Sequence, residues 1–216
     1  MLSRSLTLCA VLAVAGAASA QTAEAPPADD PVLARAYAED QADGHRAAFV
    51  YQGGGAIPLD TLRLRLGSMP PHLADDVRRR LAVDSVLAAG GARTANDFYH
   101  AAMIHQHGAD TTAYRMAHEL AARAVALDPD HADARWLAAA SWDRYLDASG
   151  RPQWYGTQYR CDDGGLRRSI PVEPGRVTDE ERAAAGVETL AQQRALEGTP
   201  CLGVHHDDED EAHDHR

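Results

Sequence analysis

An acid–base pair, Asp143-Arg144, is followed closely by Gln153 and by the run Tyr155-Gly156-Thr157-Gln158-Tyr159. Arg144 and Gln158 can each present two hydrogen-bonding groups side by side, which suits a carboxylate, an amide or a phosphate. Tyr155 and Tyr159 offer flat amphipathic walls, and Gly156 lets a ligand approach the backbone. Two readings are open. In one, Arg144, Gln153, Tyr155, Gly156, Thr157 and Gln158 bind a small anionic ligand or a partner protein. In the other, Asp143 and Arg144 organise the interior and lock the Tyr-Gly-Thr-Gln loop in place, as buried polar networks often do.

Histidines are the second source of chemistry. His100 and His107 are seven residues apart, hence on one face of a helix, and His118 on the next helix could meet them across a hairpin. A spacing of seven spans about 10 Å along a helix, too far for one shared metal ion, and no HExxH is present. The plainer reading makes all three structural; the functional alternative takes His100 as the general base of a small hydrolase, with Asp143 as a second candidate and Arg144 holding an anionic substrate. Whether the protein is an enzyme stays open at this point. His205, His206, His213 and His215 surround Asp207-Asp208-Glu209-Asp210-Glu211, and these could scavenge Zn²⁺, Ni²⁺ or Cu²⁺. No other cofactor is expected.

Several chemistries are excluded outright. All 21 basic residues are arginine, so a P-loop lysine, a lysine Schiff base and a Ser–Lys dyad are impossible. There is no GxSxG elbow and no CxxC pair. A formal charge of −11 argues against nucleic acid as a partner, which requires a cationic face.

Residues 1–20 read as a secretory signal peptide, with Arg4, an apolar stretch from Leu6 to Ala17, and Ala18-Ser19-Ala20 as the cleavage site. The apolar run is too short to span a bilayer, so no stable membrane anchor is expected after cleavage. Periplasmic or secreted localisation follows. The mature chain would have 196 residues and a charge of −12 once Arg4 is removed. Only Cys161 and Cys201 would remain, either disulfide-bonded or as free thiols.

The elements that must position these groups are mostly helical. Residues 21–30 read as a disordered Ala/Pro/acid linker and residues 205–216 as a disordered His/acid-rich tail carrying −5, with one domain over 31–204. Pro31 opens a helix through Asp43, and Gly53-Gly54-Gly55 makes a flexible turn. Alternating Leu and Arg from Leu62 to Leu66 fit a strand or an Asp60-capped helix equally. Pro70-Pro71 opens a helix that Gly90-Gly91 ends. Thr94-x-x-Asp97 resembles a capping box for a helix to His107. Further helices run from about Thr111 to Leu127, stopped by Asp128-Pro129, and from near Ala132 to Gly150. Tyr155 to Pro174 reads as ordered loop with a short hairpin. Thr178-Asp-Glu-Glu181 then opens one helix ending at Gly198.

The segment from Asp143 to about Leu190 resembles an uncharacterised bacterial family, domain of unknown function 6624. The features that carry the resemblance are Asp143-Arg144, Gly150, Gln153, Tyr155 to Tyr159, Pro171-Val172, Val177, Arg182, Gly186 and Leu190. It implies a boundary near 143–198 and a set of suspect residues, and no activity. Ala117, Ala124 and Pro129 also resemble the second helix of a tetratricopeptide repeat, although His105 replaces the small glycine expected in the preceding helix. The expected fold is mainly α: helical hairpins of that style with a loop-rich C-terminal cap and final helix. The expected function is a binding or protein-interaction module, with the hydrolase and the metal-binding tail as alternatives.

Overall fold

In a computed structural model the described residues are 26–42, 66–68, 71–108, 110–162 and 164–200. The expected signal peptide, the expected turn at Gly53-Gly54-Gly55, Leu62 to Arg65, Cys201 and the histidines of the tail lie outside them.

The chain is mainly helical. Five longer helices come first: α1 Pro31–Ala42, α2 Pro71–Ala88, α3 Ala95–Gln106, α4 Thr111–Leu127 and α5 Ala132–Ala148, with a 3-10 turn at Leu66–Ser68. A two-stranded antiparallel hairpin follows, β1 Tyr159–Asp162 and β2 Gly165–Arg168, and then two short helices, α6 Asp179–Ala184 and α7 Leu190–Leu196. None of the described helices is long and apolar enough to cross a membrane.

Helices α3, α4 and α5 pack as consecutive antiparallel neighbours, and α1 and α2 lean on α3. The seam is built largely from alanine. Ala101, Ala102, Ala121, Ala124 and Ala134 are wholly buried together with Leu33, Val83 and Leu137. Small side chains let helix axes approach closely, and the few leucines fill the remaining space. Strong local signals fix the ends. Thr94 accepts from the Asp97 N–H while the Asp97 carboxylate accepts from the Thr94 N–H, which completes the capping box of α3. Helix α4 occupies the span expected from its stop at Asp128-Pro129.

Two expectations are corrected. The linker 21–30 is not disordered to its end. Asp30 caps α1 by accepting from the Val32 and Leu33 N–H groups, and its own N–H donates to Asp97 Oδ1 at 2.6 Å. Asp29 accepts from Thr94 Oγ1 and Asn96 Nδ2. Short acids beside two helix starts satisfy orphaned donors, so they dock where composition alone suggests a solvated strand of chain.

The helix expected from Thr178 to Gly198 is two helices. Gly186 takes φ 72°, and the Val187 N–H donates to the Arg182 carbonyl, closing α6 with a Schellman turn. A second capping box, Thr189 with Gln192, then restarts the chain as α7.

Candidate functional site

The site forms where α5 ends. The Arg151 N–H donates to the Leu146 carbonyl and the Gly150 N–H to the Asp147 carbonyl, which turns the chain back along the helix it has just left. That return places residues 153–158 against Asp143, whose side chain is fully buried.

Asp143 accepts five hydrogen bonds from this loop. Oδ1 takes the Trp154 N–H at 2.7 Å and the Tyr155 N–H at 3.1 Å. Oδ2 takes the Gly156 N–H at 2.7 Å, the Thr157 N–H at 2.9 Å and the Thr157 hydroxyl at 2.9 Å. A buried carboxylate surrounded by oriented N–H groups is stable as an anion but has no lone pair left for a substrate. Asp143 is therefore corrected from candidate catalyst to clamp.

The carbonyl side of the loop is held as firmly. Arg182, 1% exposed, donates to the Trp154 and Tyr155 carbonyls and to Val177. Buried Gln193 donates to the Tyr155 carbonyl, and buried Gln153 donates to the Gln158 carbonyl while accepting the Gln158 N–H. Gly156 sits at φ 88°, and a Cβ there would lie 2.3 Å from Gln193 Oε1. Glycine is needed twice over, for its dihedral angle and for the close approach. Gln153, Gly156 and Thr157 are thus corrected from ligand contacts to parts of the scaffold, because their polar groups are already engaged inside it.

Arg144 has a different environment. Its Nε donates to Gln158 Oε1 at 3.1 Å and its Nη1 to the Gln106 carbonyl at 2.8 Å, at the end of α3. The Tyr114 ring lies 5.8 Å from the guanidinium carbon. Among the described residues no carboxylate reaches it as an ion-pair partner; Asp147 and the Tyr114 phenol act on it only at longer range. Burial lowers its pKa from the ordinary arginine value, and those two groups partly restore it. Gln158 is tied to it firmly, since Gln158 Nε2 donates to the Ala140 carbonyl and to Thr157 Oγ1. The clamped loop therefore holds a guanidinium whose charge is not neutralised by contact.

Tyr155 and Tyr159 are half-buried. Burial lifts both phenols above their ordinary range, aided at Tyr155 by the Asp143 charge and opposed at Tyr159 by Arg168.

The histidines do not converge. His100 stacks on Tyr37 of α1, with ring centroids 4.5 Å apart, and its Nδ1 is buried without a hydrogen-bond partner. His107 Nδ1 meets the Asp40 carboxylate at 2.8 Å, also on α1. The expected shared face is present for these two. His118 instead turns to α5, where its Nδ1 pairs with the Ala138 carbonyl at 2.8 Å and its ring packs on Trp142. No group of three metal-ligating side chains exists among the described residues.

His100 is also remote from Asp143. Its neighbour Tyr99 packs against His131 at the start of α5, and Asp143 lies twelve residues further along, roughly 18 Å at 1.5 Å per residue. A general base must reach its proton, so His100 and Asp143 cannot form a catalytic pair.

Sequence reasoning does not point to Tyr114 or Gln193, and it marks Arg182 only through the family resemblance, without a role. Arg182 and Gln193 follow capping boxes, which mark helix starts but not inward-facing polar side chains. Tyr114 has no local signal, because Arg144 meets it only through the antiparallel packing of α4 on α5. No protein family matches the chain, and neither does any curated protein or solved structure.

Proposed function

We propose that the chain is an exported, non-enzymatic binding or protein-interaction module whose polar site centres on Arg144 beside the Tyr155–Tyr159 loop. One observation carries this reading: a largely buried guanidinium on α5, with no contacting carboxylate among the described residues, is held by a loop clamped from both sides. Burying a cation is unfavourable unless something pairs with it. A rigid support for such a group is how binding sites are pre-organised. Its occupant would be a small anionic ligand or an acidic segment of a partner protein. Against the hydrolase stand the engaged oxygens of Asp143 and the distance of His100.

Membership of the domain of unknown function 6624 family belongs to the same proposal. The clamp residues Asp143, Gln153, Tyr155 to Gln158 and Arg182 are among those on which the resemblance rests, and a shared loop would account for them. So does a Cys161–Cys201 bridge, suited to an oxidising compartment. Supporting it, Cys161 lies on β1 of the hairpin. It faces Leu166 across the hairpin, and Leu166 exchanges hydrogen bonds with Gly198 and Thr199, just short of Cys201.

The test is thermal unfolding in the presence of aliphatic and aromatic carboxylates, with sodium chloride at matched ionic strength. At least one acid should raise the melting temperature of the wild type and leave Arg144→Gln unchanged. Equal shifts in both proteins, or none beyond the chloride control, would refute the reading.

A further inference from the structure

Arg144 is not the only under-satisfied guanidinium near the end of α3. Arg80, on α2, has 14% side-chain exposure, a buried Nε with no hydrogen-bond partner, and Asp110 Oδ2 at 3.8 Å from its Nη1. That separation is too long for a hydrogen bond. Its guanidinium lies against Gly108, where a Cβ would come 3.4 Å from Nη1 and 2.4 Å from the Ala113 Cβ. Arg144 reaches the Gln106 carbonyl, two residues earlier, from the side of α5. The two cations thus close on one turn from two different helices.

Tyr114 sits between them. It is one turn into α4, its ring faces Arg144, and both Arg80 and Arg144 act electrostatically on its phenol. Burial lifts that phenol above its ordinary value, so the group is a neutral O–H donor at physiological pH, and Asp110 and Asp147 reinforce this.

We infer that Arg80, Tyr114 and Arg144 together form a subsite for a carboxylate group. The inference rests on Arg144 being a binding group and adds the ligand class and two further residues.

The class follows from what is left to donate. With Nε and one Nη1 hydrogen engaged, Arg144 retains N–H groups at its Nη1/Nη2 end, where two parallel donors match the spacing of carboxylate oxygens. The Tyr114 hydroxyl adds a third donor and Arg80 a second cation. Asp110 Oδ1 is occupied by capping α4 through the Ala113 N–H, but its charge and that of Asp147 remain close. Two nearby acids oppose a doubly charged oxyanion more than a singly charged one. The simpler role, in which the arginines only offset the negative end of α3, accounts for the Gln106 carbonyl contact but leaves the Arg80 Nε unpartnered.

The carboxylate could belong to a small organic acid or to the C-terminus of a peptide, and the experiment separates them. Arginine Nε–H resonances of the full mature protein are followed at pH 5.5 during titration with sodium acetate, sodium sulfate, N-acetyl-Ala-Ala and its C-terminal amide, against sodium chloride. Acetate should move the Arg80 and Arg144 signals along one saturable curve. Tyr114→Phe should weaken that curve about tenfold, as expected for one hydrogen bond to a charged group, while leaving the fold intact. The free dipeptide binding more tightly than acetate supports the subsite and assigns a peptide terminus; equal binding supports it and assigns a small acid.

Saturation by sulfate, a doubly charged oxyanion at this pH, at lower concentration than acetate overturns the ligand class. So does equal binding of the dipeptide amide. Movement of the Arg144 signal alone overturns the three-residue subsite and leaves Arg144 as a binding group. If neither signal moves and no acid stabilises the wild type in the melting assay, both readings fall.

Discussion

Replacing Asp143 by asparagine tests the clamp where it is most concentrated. The substitution preserves size and turns one acceptor oxygen into an NH2 donor. In the milder orientation, the NH2 faces the Trp154 and Tyr155 N–H groups, and two backbone donors lose their acceptor in the interior. In the other, the Gly156 and Thr157 N–H groups and the Thr157 hydroxyl lose theirs. An unsatisfied buried donor costs about 1–3 kcal/mol, so the milder orientation predicts a loss of roughly 2–6 kcal/mol, with about 4 kcal/mol as the central value. For a domain of this size, that lowers the melting temperature by about 8–16 °C. Urea unfolding followed by circular dichroism gives the free energy, and an unchanged m-value would confirm that the same surface unfolds. Amide hydrogen exchange should lose protection at residues 154–157 before the helical hairpins do. A loss below about 1 kcal/mol would refute the claim that Asp143 holds the loop.

Two other perturbations follow, one from the same network and one from the start of α3. Gly156→Ala forces a side chain into φ 88° and against Gln193 Oε1, which Arg168 already holds at 3.0 Å, so urea melts should show a loss above about 2 kcal/mol. Burial pushes the Asp97 carboxyl upward, but the N–H groups of Arg93, Asp30 and Thr94 outweigh that and hold it below its ordinary value of 3.8. A depressed carboxyl contributes stability that is complete above its unfolded value and is lost as pH falls through its folded value. Asp97→Asn should therefore weaken the protein at pH 6 and flatten its loss of stability between about pH 4 and pH 2; an unchanged acid profile would contradict this.

How far the sequence carries these conclusions differs by element. Helix α4 reads cleanly because its stop at Asp128-Pro129 is a local, steric one. The α3 capping box reads for the same reason: two residues three apart decide it. The break between α6 and α7 was legible in principle, since Gly186 and the Thr189-x-x-Gln192 box are both in the sequence. The regular spacing of Val187, Leu190 and Arg194 outweighs them when periodicity alone is weighed. The site divides along the same line. Its suspect residues cluster in sequence, so the Asp143 to Gln158 stretch stands out. Whether each faces a ligand or the interior depends on the returning loop and on contacts from Arg182 and Gln193, which lie 39 and 50 residues beyond Asp143. Arg80 and Tyr114 are invisible to spacing, because only the packing of α2, α4 and α5 brings them to one turn.

The central claim is a division of labour: Asp143 builds the site and Arg144 uses it. Measuring unfolding free energy and acetate binding together on Asp143→Asn and Arg144→Gln tests that division most directly. The account predicts that Arg144→Gln abolishes acetate binding while losing less than half the stability lost by Asp143→Asn. Equal destabilisation by both variants, with no acetate binding to the wild type, would contradict it and leave Arg144 as one more clamp.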